Sequence, residues 1–412
     1  MNLDARTAIE ALRAGVPNRA AVRLMGTEES GIEQAFDALL ASVWSAGGTR
    51  PGLGIAGGFG SGKSHFLGYL GEVARGQNFV VSRVVVSKET PLADAARVFE
   101  AAIRGASLPA GHESPIAAAL AILRESPDKA DALEQDAREP GAGFAPVFAA
   151  IVHLARRAST QAETLRRCER FLSGTPLTAA SLRLALSAIG AGRLFDLKMP
   201  PAAALAEQRI RFVSCLFRAA GFAGWCILLD EVELIGRYTP LQRAMAYTRL
   251  SDWLGLDGAS GFPGIAVAYA ITDDFVSAVI DHRQDDVKLP ERLALKGRPQ
   301  EANAARAAIH HIGDVVRNHR LRNPGAEELA RACLRLREIY EVAYDWPTPA
   351  LTAGERMATR TMRQYIKSWV TQWDLQRLTG HGVLIVEETM SANYEEDAGL
   401  TELPPAADDD LG

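Results

Sequence analysis

The stretch Gly57-Gly58-Phe59-Gly60-Ser61-Gly62-Lys63-Ser64, continued by His65-Phe66-Leu67, decides the fold. It spells G-x-x-x-x-G-K-[ST], the pattern of a loop that cradles nucleotide phosphates. Glycines let successive backbone N–H groups turn toward phosphate oxygens, and the helix that follows presents its positive N-terminal end to the same anion. Lys63 is then placed to reach the β- and γ-phosphates, and Ser64 to set its hydroxyl on Mg²⁺. Gly57, Gly58, Phe59, Gly60, Ser61, Gly62, Lys63, Ser64 and His65 are thus the expected nucleotide-binding segment. The plain alternative is a glycine-rich turn between a strand and a helix.

The flanks supply the context the motif requires. Leu53 to Ala56 is a short apolar segment suited to the preceding strand, and residues 65–73 carry apolar side chains at helical spacing. Further on, Phe79 to Val86 is a β-branched run suited to a buried parallel strand, and Ser87-Lys88-Glu89-Thr90-Pro91 ends it. Gly224 to Glu231 is an apolar strand ending in two carboxylates, and Gly264 to Thr272 is another ending in polar residues. Strands alternating with helical segments indicate an α/β protein with a parallel, doubly wound sheet of the P-loop NTPase type.

Around this core the remaining chain reads as helix. The first 45 residues form a small helical cap, with Ile9, Leu12 and Val16 on one face and a turn at Pro17-Asn18. Residues 46–300 form the core, holding a helical insertion at about 94–217 that is rich in Ala, Leu and Arg and punctuated by prolines. Residues 301–390 form a helical lid with segments Ala302 to Leu321, Ala326 to Tyr344 and Thr352 to Leu378, then a late strand from His381 to Glu388. Residues 391–412 read as an acidic tail.

Composition sets outer bounds. The 412 residues are 48% hydrophobic and 23% charged, which describes an ordinary folded chain. No run of about eighteen apolar residues occurs, and Met1 to Arg6 lacks the basic-then-apolar order of a signal peptide, so a cytoplasmic protein without membrane contact is expected. Cys168, Cys215, Cys226 and Cys333 stand far apart with no C-x-x-C pair, which argues against a disulfide framework or a zinc knuckle. His310, His311 and His319 cluster without an acidic or cysteine ligand at metal spacing. A net charge of −5 gives no global basic field for nucleic acid. Arg317, Arg320, Arg322, Arg331, Arg335 and Arg337 crowd two helical segments, as a solvated face or a phosphate-tracking patch.

In an open parallel sheet, ligands sit at the carboxyl ends of the strands, so the polar residues there should converge on Lys63. Asp230 is the expected holder of Mg²⁺ through water, in the manner of a Walker-B aspartate. Glu231 is the expected activator of water against the γ-phosphate. An acidic helix cap is the structural alternative for both. Thr272, with Asp273 beside it, is placed to hydrogen-bond the nucleophilic water, or to serve as a cap. Arg360 and Arg363, three apart on one helix face, are candidates to touch nucleotide in the same subunit, and Arg292 to reach a neighbouring one. A solvated surface role stands open for each arginine.

Neighbouring classes lack their marks. No N-K-x-D guanine reader follows the sheet, as a GTPase requires. Leu172-Ser173-Gly174-Thr175 lacks the second glycine and the glutamine of an ABC signature and stands too far upstream. A small-molecule kinase shares the loop and a lid but does not ordinarily need Asp-Glu after an apolar strand.

With these parts placed, the chain resembles the AAA+-like branch of P-loop ATPases. Residues 8–19, GGFGSGKSHFL from Gly57, VVVSKETPL from Val84, LLDEVELI from Leu228 and MRQYIKSWVTQWDL from Met362 resemble the BrxD-type ATP-binding protein of bacterial BREX phage-defence systems. The resemblance covers most of the chain, the inserted helices contributing little. It implies an ATP-dependent component that works with helicase-like and other defence proteins, among them a methyltransferase, and on DNA. ATP and Mg²⁺ are the implied cofactors. Self-assembly into a homo-oligomer is open, as are a nucleotide-dependent scaffold with little turnover and a kinase.

Overall fold

A computed structural model describes residues 2–14, 18–25, 30–44, 51–109, 111, 114–157, 159–256, 262–321, 325–349, 351, 361–380 and 394. Arg360, the late strand at 381–388 and the acidic residues of the tail lie outside them. Five strands form one sheet: β1 (Leu53–Gly57), β2 (Phe79–Val85), β3 (Ala106–Ser107), β4 (Gly224–Asp230) and β5 (Ile265–Thr272). Their spatial order is β1-β5-β4-β2-β3. All neighbours pair in parallel except β3, a two-residue antiparallel edge that the composition of the chain did not announce. The architecture is α/β and compatible with a P-loop NTPase.

Alternation along each strand sorts its side chains onto two faces. Trp225, Ile227 and Leu229 of β4 join Val267, Tyr269 and Ile271 of β5 in the larger core, while Cys226 and Leu228 join Ala266, Ala268 and Ala270 in the smaller one. The three alanines keep that second face shallow. Helix α3 (Ser30–Trp44) and helix α4 (Lys63–Gly76) lie over it, burying Phe36, Leu39 and Leu40 from one and Phe66, Leu67 and Leu70 from the other. Each such side chain contributes about 1.5–3 kcal/mol of burial. Gly71 of α4 faces Leu228, where a Cβ would stand 3.1 Å from it.

The opposite face carries α5 (Ala95–Arg104), α11 (Ala202–Ala220), α12 (Pro240–Leu254), α13 (Asp285–Leu295) and α14 (Pro299–Asn318), with α6 to α10 between α5 and α11. Trp225 organises it. Its indole N–H donates to Ser82 Oγ at 2.8 Å, and its ring meets Phe99 of α5 and Phe217 of α11 edge-on. The inserted helices α6 (Pro115–Glu125), α7 (Pro127–Arg138), α8 (Pro146–Arg156), α9 (Ala162–Leu172) and α10 (Ala179–Ala188) pack around α8, which buries nine consecutive residues from Val147 to Ala155.

Helix α14 begins the segment read from sequence as a lid, yet it covers the sheet beside β1 and packs on α12 and α13. Gly54 makes the approach possible, since a Cβ there would fall 2.4 Å from Val315. After α14, Leu321 N–H donates to Ala56 O at 2.8 Å and Ala56 N–H to His319 O at 2.9 Å, so the chain runs briefly alongside the free edge of β1.

A second, smaller body joins the two ends of the sequence. Helices α1 (Leu3–Ala14), α2 (Arg19–Met25), α15 (Ala326–Tyr344) and α16 (Met362–Thr379) share one core of Ile9, Leu12, Leu336, Tyr340, Val370 and Trp373. Asp374 ties it electrostatically: Arg13 donates to both carboxylate oxygens at 2.8 and 3.0 Å, and Tyr340 Oη donates at 2.8 Å. Among the described residues no helix is long and apolar enough to cross a membrane.

Asp374→Ala leaves Arg13 and Tyr340 facing each other without the acceptor both use. We expect it to lower the free energy of unfolding by about 1–3 kcal/mol, with faster amide exchange confined to α1, α15 and α16. Loss spread evenly over the sheet would contradict this assignment.

Candidate functional site

The glycine loop joins β1 to α4 in a conformation its glycines permit. Gly60 and Gly62 adopt left-handed φ values of 78° and 100°, which side-chain-bearing residues rarely adopt. A Cβ at Gly57 would stand 2.5 Å from Ser61 Oγ, so a side chain there would displace that hydroxyl. Gly62 caps α4 without a side-chain hydrogen bond, and no acidic residue stands in the first turn. Ser61 Oγ is buried and has no hydrogen-bond partner. Both features suit an anion seated on the loop. Phe59, at the loop apex, is half exposed.

Lys63 turns back under the loop. Its ammonium is buried, 8% exposed, and donates to the carbonyls of Gly57 at 2.9 Å and Gly58 at 3.2 Å. Ser64 follows, half-buried, on the first turn.

Pairing places the other strand ends beside the loop. Gly57 is in register with Thr272, and Asp273 N–H donates to Gly57 O at 3.3 Å. Since β5 lies between β1 and β4, Asp230 comes next along the same carboxyl edge. Its side chain is 2% exposed. One oxygen accepts from Glu231 N–H at 3.0 Å and the other from Arg83 of β2. A guanidinium therefore stands on the carboxylate that the sequence reading expects to attract a metal.

Glu231 leaves β4 with a left-handed φ of 59°, unusual for a residue with a side chain and worth about 1–3 kcal/mol of strain. The turn aims it outward into solvent at the strand ends. Even so, the protein on its inner side raises its pKa by desolvation, Asp230 adds to the rise, and Arg83 and Lys63 oppose it. Thr272 is 2% exposed, its hydroxyl in a hydrogen bond with that of Tyr394.

The arginines separate. Arg363 is exposed on the first turn of α16, whose N-cap Thr361 sits over the loop: a Cβ on Gly60 would come within 3.2 Å of Thr361 Oγ1. Arg292 is exposed in the last turn of α13. Arg360 lies outside the described residues. In the basic cluster downstream, Arg317 pairs with Asp314, Arg320 with Asp273, Arg331 with Glu327 and Arg337 with Glu341, while Arg335 donates to Met25 O. Local acids thus take up most of the charge that the sequence offered as a phosphate track.

Three residues of this site escaped the sequence reading. Arg83 was hidden inside a β-branched strand, and only the β2–β4 pairing brings it to Asp230. Tyr394 falls between two acidic runs. Glu233, on the 3₁₀ turn Val232–Arg237, is 9% exposed with Oε2 unpartnered. The spacing D-E-x-E was its one available signal.

With this geometry in place, comparison with known families becomes specific. Residues 2–121 match the family model of the BREX system ATP-binding protein BrxC/D. That span runs from α1 through the glycine loop into α6. The match supports a likeness to BREX ATP-binding proteins of the BrxC/D kind, suggests a role in BREX defence with ATP binding, and implies other proteins of the defence system as partners. No curated protein and no solved structure matches the chain.

Burial pushes the Glu233 carboxyl up to about 7, against the opposing charge of Lys63 and with help from Asp230 and Glu231. The folded protein then binds this proton more tightly than the unfolded chain does. Its stabilising contribution is complete below the ordinary value of 4.5 and is lost as pH rises through about 7. Glu233→Gln should match wild type in urea denaturation at acid pH and exceed it by roughly 2–3 kcal/mol at about pH 8. A difference that stays constant with pH would refute the burial account.

Proposed function

We propose that the chain is an Mg²⁺-dependent ATPase of the AAA+-like kind, acting in a BREX defence system. The observation that carries this reading is the convergence of Lys63, Asp230, Glu231 and Thr272 on one carboxyl edge under an open glycine loop. The triphosphate would lie along Gly58 to Ser64, with Lys63 transferring its hydrogen bonds from the Gly57 and Gly58 carbonyls to phosphate oxygens. Asp230 and Ser64 would hold Mg²⁺, whose role when bound is to neutralise charge on the β- and γ-phosphate oxygens.

Water attacks the γ-phosphorus in line while the bond to the β–γ bridging oxygen breaks. Glu231 takes the water proton, and ADP with inorganic phosphate results. A raised Glu231 pKa suits a carboxylate asked to accept a proton near neutrality. Thr361 and Arg363, on α16 above the loop, would couple nucleotide state to the small helical body, since α16 shares its core with α1 and α15. That coupling would carry the signal to helicase-like partners and to DNA. Arg292, exposed on α13, is the candidate for a neighbouring copy.

Lys63→Ala should abolish binding of a fluorescent ATP analogue. Glu231→Gln should keep that binding within about threefold and lower phosphate release at least a hundredfold. Phosphate release by Glu231→Gln at the wild-type rate would sink the hydrolytic reading and favour a nucleotide-dependent scaffold. Phosphate appearing on an acceptor other than water would favour a kinase.

A further inference from the structure

Tyr394 is the one residue after Gly380 that the structure describes, and it is docked onto the site. Its hydroxyl donates to Asp274 Oδ1 at 2.8 Å and also contacts Thr272 Oγ1. Its carbonyl accepts from Arg283, and its ring packs edge-on against Phe275. Gly236, on the turn that follows Glu231, leaves room for that ring, since a Cβ there would stand 3.0 Å from it.

Proton counting fixes the direction of this chain of hydroxyls. A carboxylate accepts and cannot donate, so the single phenolic proton of Tyr394 goes to Asp274. Burial raises the phenol's pKa, so the proton stays on it across the neutral range. The Thr272–Tyr394 contact must then use the proton of Thr272. The Thr272 hydroxyl is therefore left with lone pairs alone for any further partner. A γ-phosphate oxygen, itself an acceptor, gains nothing from such a group. A water molecule does.

We infer that Tyr394 is a positioning residue for hydrolysis: the relay Thr272–Tyr394–Asp274 sets the Thr272 hydroxyl as a hydrogen-bond acceptor for the attacking water. One water proton then points to Thr272 and the other to Glu231, which leaves an oxygen lone pair directed at phosphorus. Without the relay, Thr272 recovers its own proton and is free to donate it to phosphate, which binds ATP equally well but leaves the water unoriented. This inference rests on the hydrolytic reading above and specifies how its water is held.

The test uses the full chain and compares Tyr394→Phe, Thr272→Val, their double variant and Glu231→Gln. Tyr394→Phe keeps the ring against Phe275 and removes only the hydroxyl. It should lower kcat about ten- to a hundredfold while ATP affinity stays within about twofold and Tm within about 2 °C. Thr272→Val should lower kcat similarly, Tyr394→Phe should add less than about twofold on top of it, and Thr272→Ser should restore most of the rate. An unchanged kcat in Tyr394→Phe would overturn the inference. So would a raised kcat, which would make Tyr394 a plug, a parallel loss of ATP affinity and Tm, or losses that multiply in the double variant. If wild type releases no phosphate, or Glu231→Gln matches it, the hydrolytic reading fails first; if Glu231→Gln silences hydrolysis but Tyr394→Phe alone leaves it unchanged, the relay alone fails.

Discussion

A lysine ammonium buried at the carboxyl edge of a parallel sheet is the constraint around which this molecule is arranged. Lys63 is almost fully shielded from water, and an unpaired charge there would be prohibitively unfavourable. The loop answers by folding the carbonyls of Gly57 and Gly58 onto it, which requires glycine where the chain turns left-handed at Gly60 and Gly62. The strand order answers as well. With β5 between β1 and β4, the carboxylates of Glu231 and Glu233 come close enough to feel the same charge.

Those carboxylates crowd one another, and the crowding has a direction. Asp230 is satisfied by Arg83 and by the Glu231 N–H, whereas Glu231 and Glu233 are both pushed toward their protonated forms by lost hydration and by Asp230. The cluster sets two cations against three acids, one of them with an unpartnered oxygen, and on the proposed reading a triphosphate and its metal would exchange those partners. Lys63 has only backbone carbonyls to give up. On that reading Arg83 is the group that would yield Asp230.

Local order in the chain foretold the sheet well. Leu53 to Ala56, Phe79 to Val86 and the two later apolar runs emerge as β1, β2, β4 and β5 within a residue or so, because continuous apolar stretches bounded by glycine and polar residues suit strands buried on both faces. The loop and the acid pair were legible for the same reason: their chemistry lies in consecutive residues. What stayed hidden depends on tertiary pairing. Arg83 meets Asp230 only through register, Tyr394 reaches Thr272 across 122 positions, and α1 finds α16 through Arg13 and Asp374 across 361. The helical spacing of α14 says nothing of where it packs, and its place against β1, close over the bare backbone at Gly54, is set by tertiary contact.

On the proposed reading a phosphate chain replaces the carbonyl partners of Lys63. The most direct measurement is a structure of the full chain with Mg²⁺ and a non-hydrolysable ATP analogue. The triphosphate should lie along Gly58 to Ser64, with Lys63 Nζ moved from the Gly57 and Gly58 carbonyls onto β- and γ-phosphate oxygens. An analogue seated elsewhere, or one bound while Lys63 keeps both carbonyls, would contradict it.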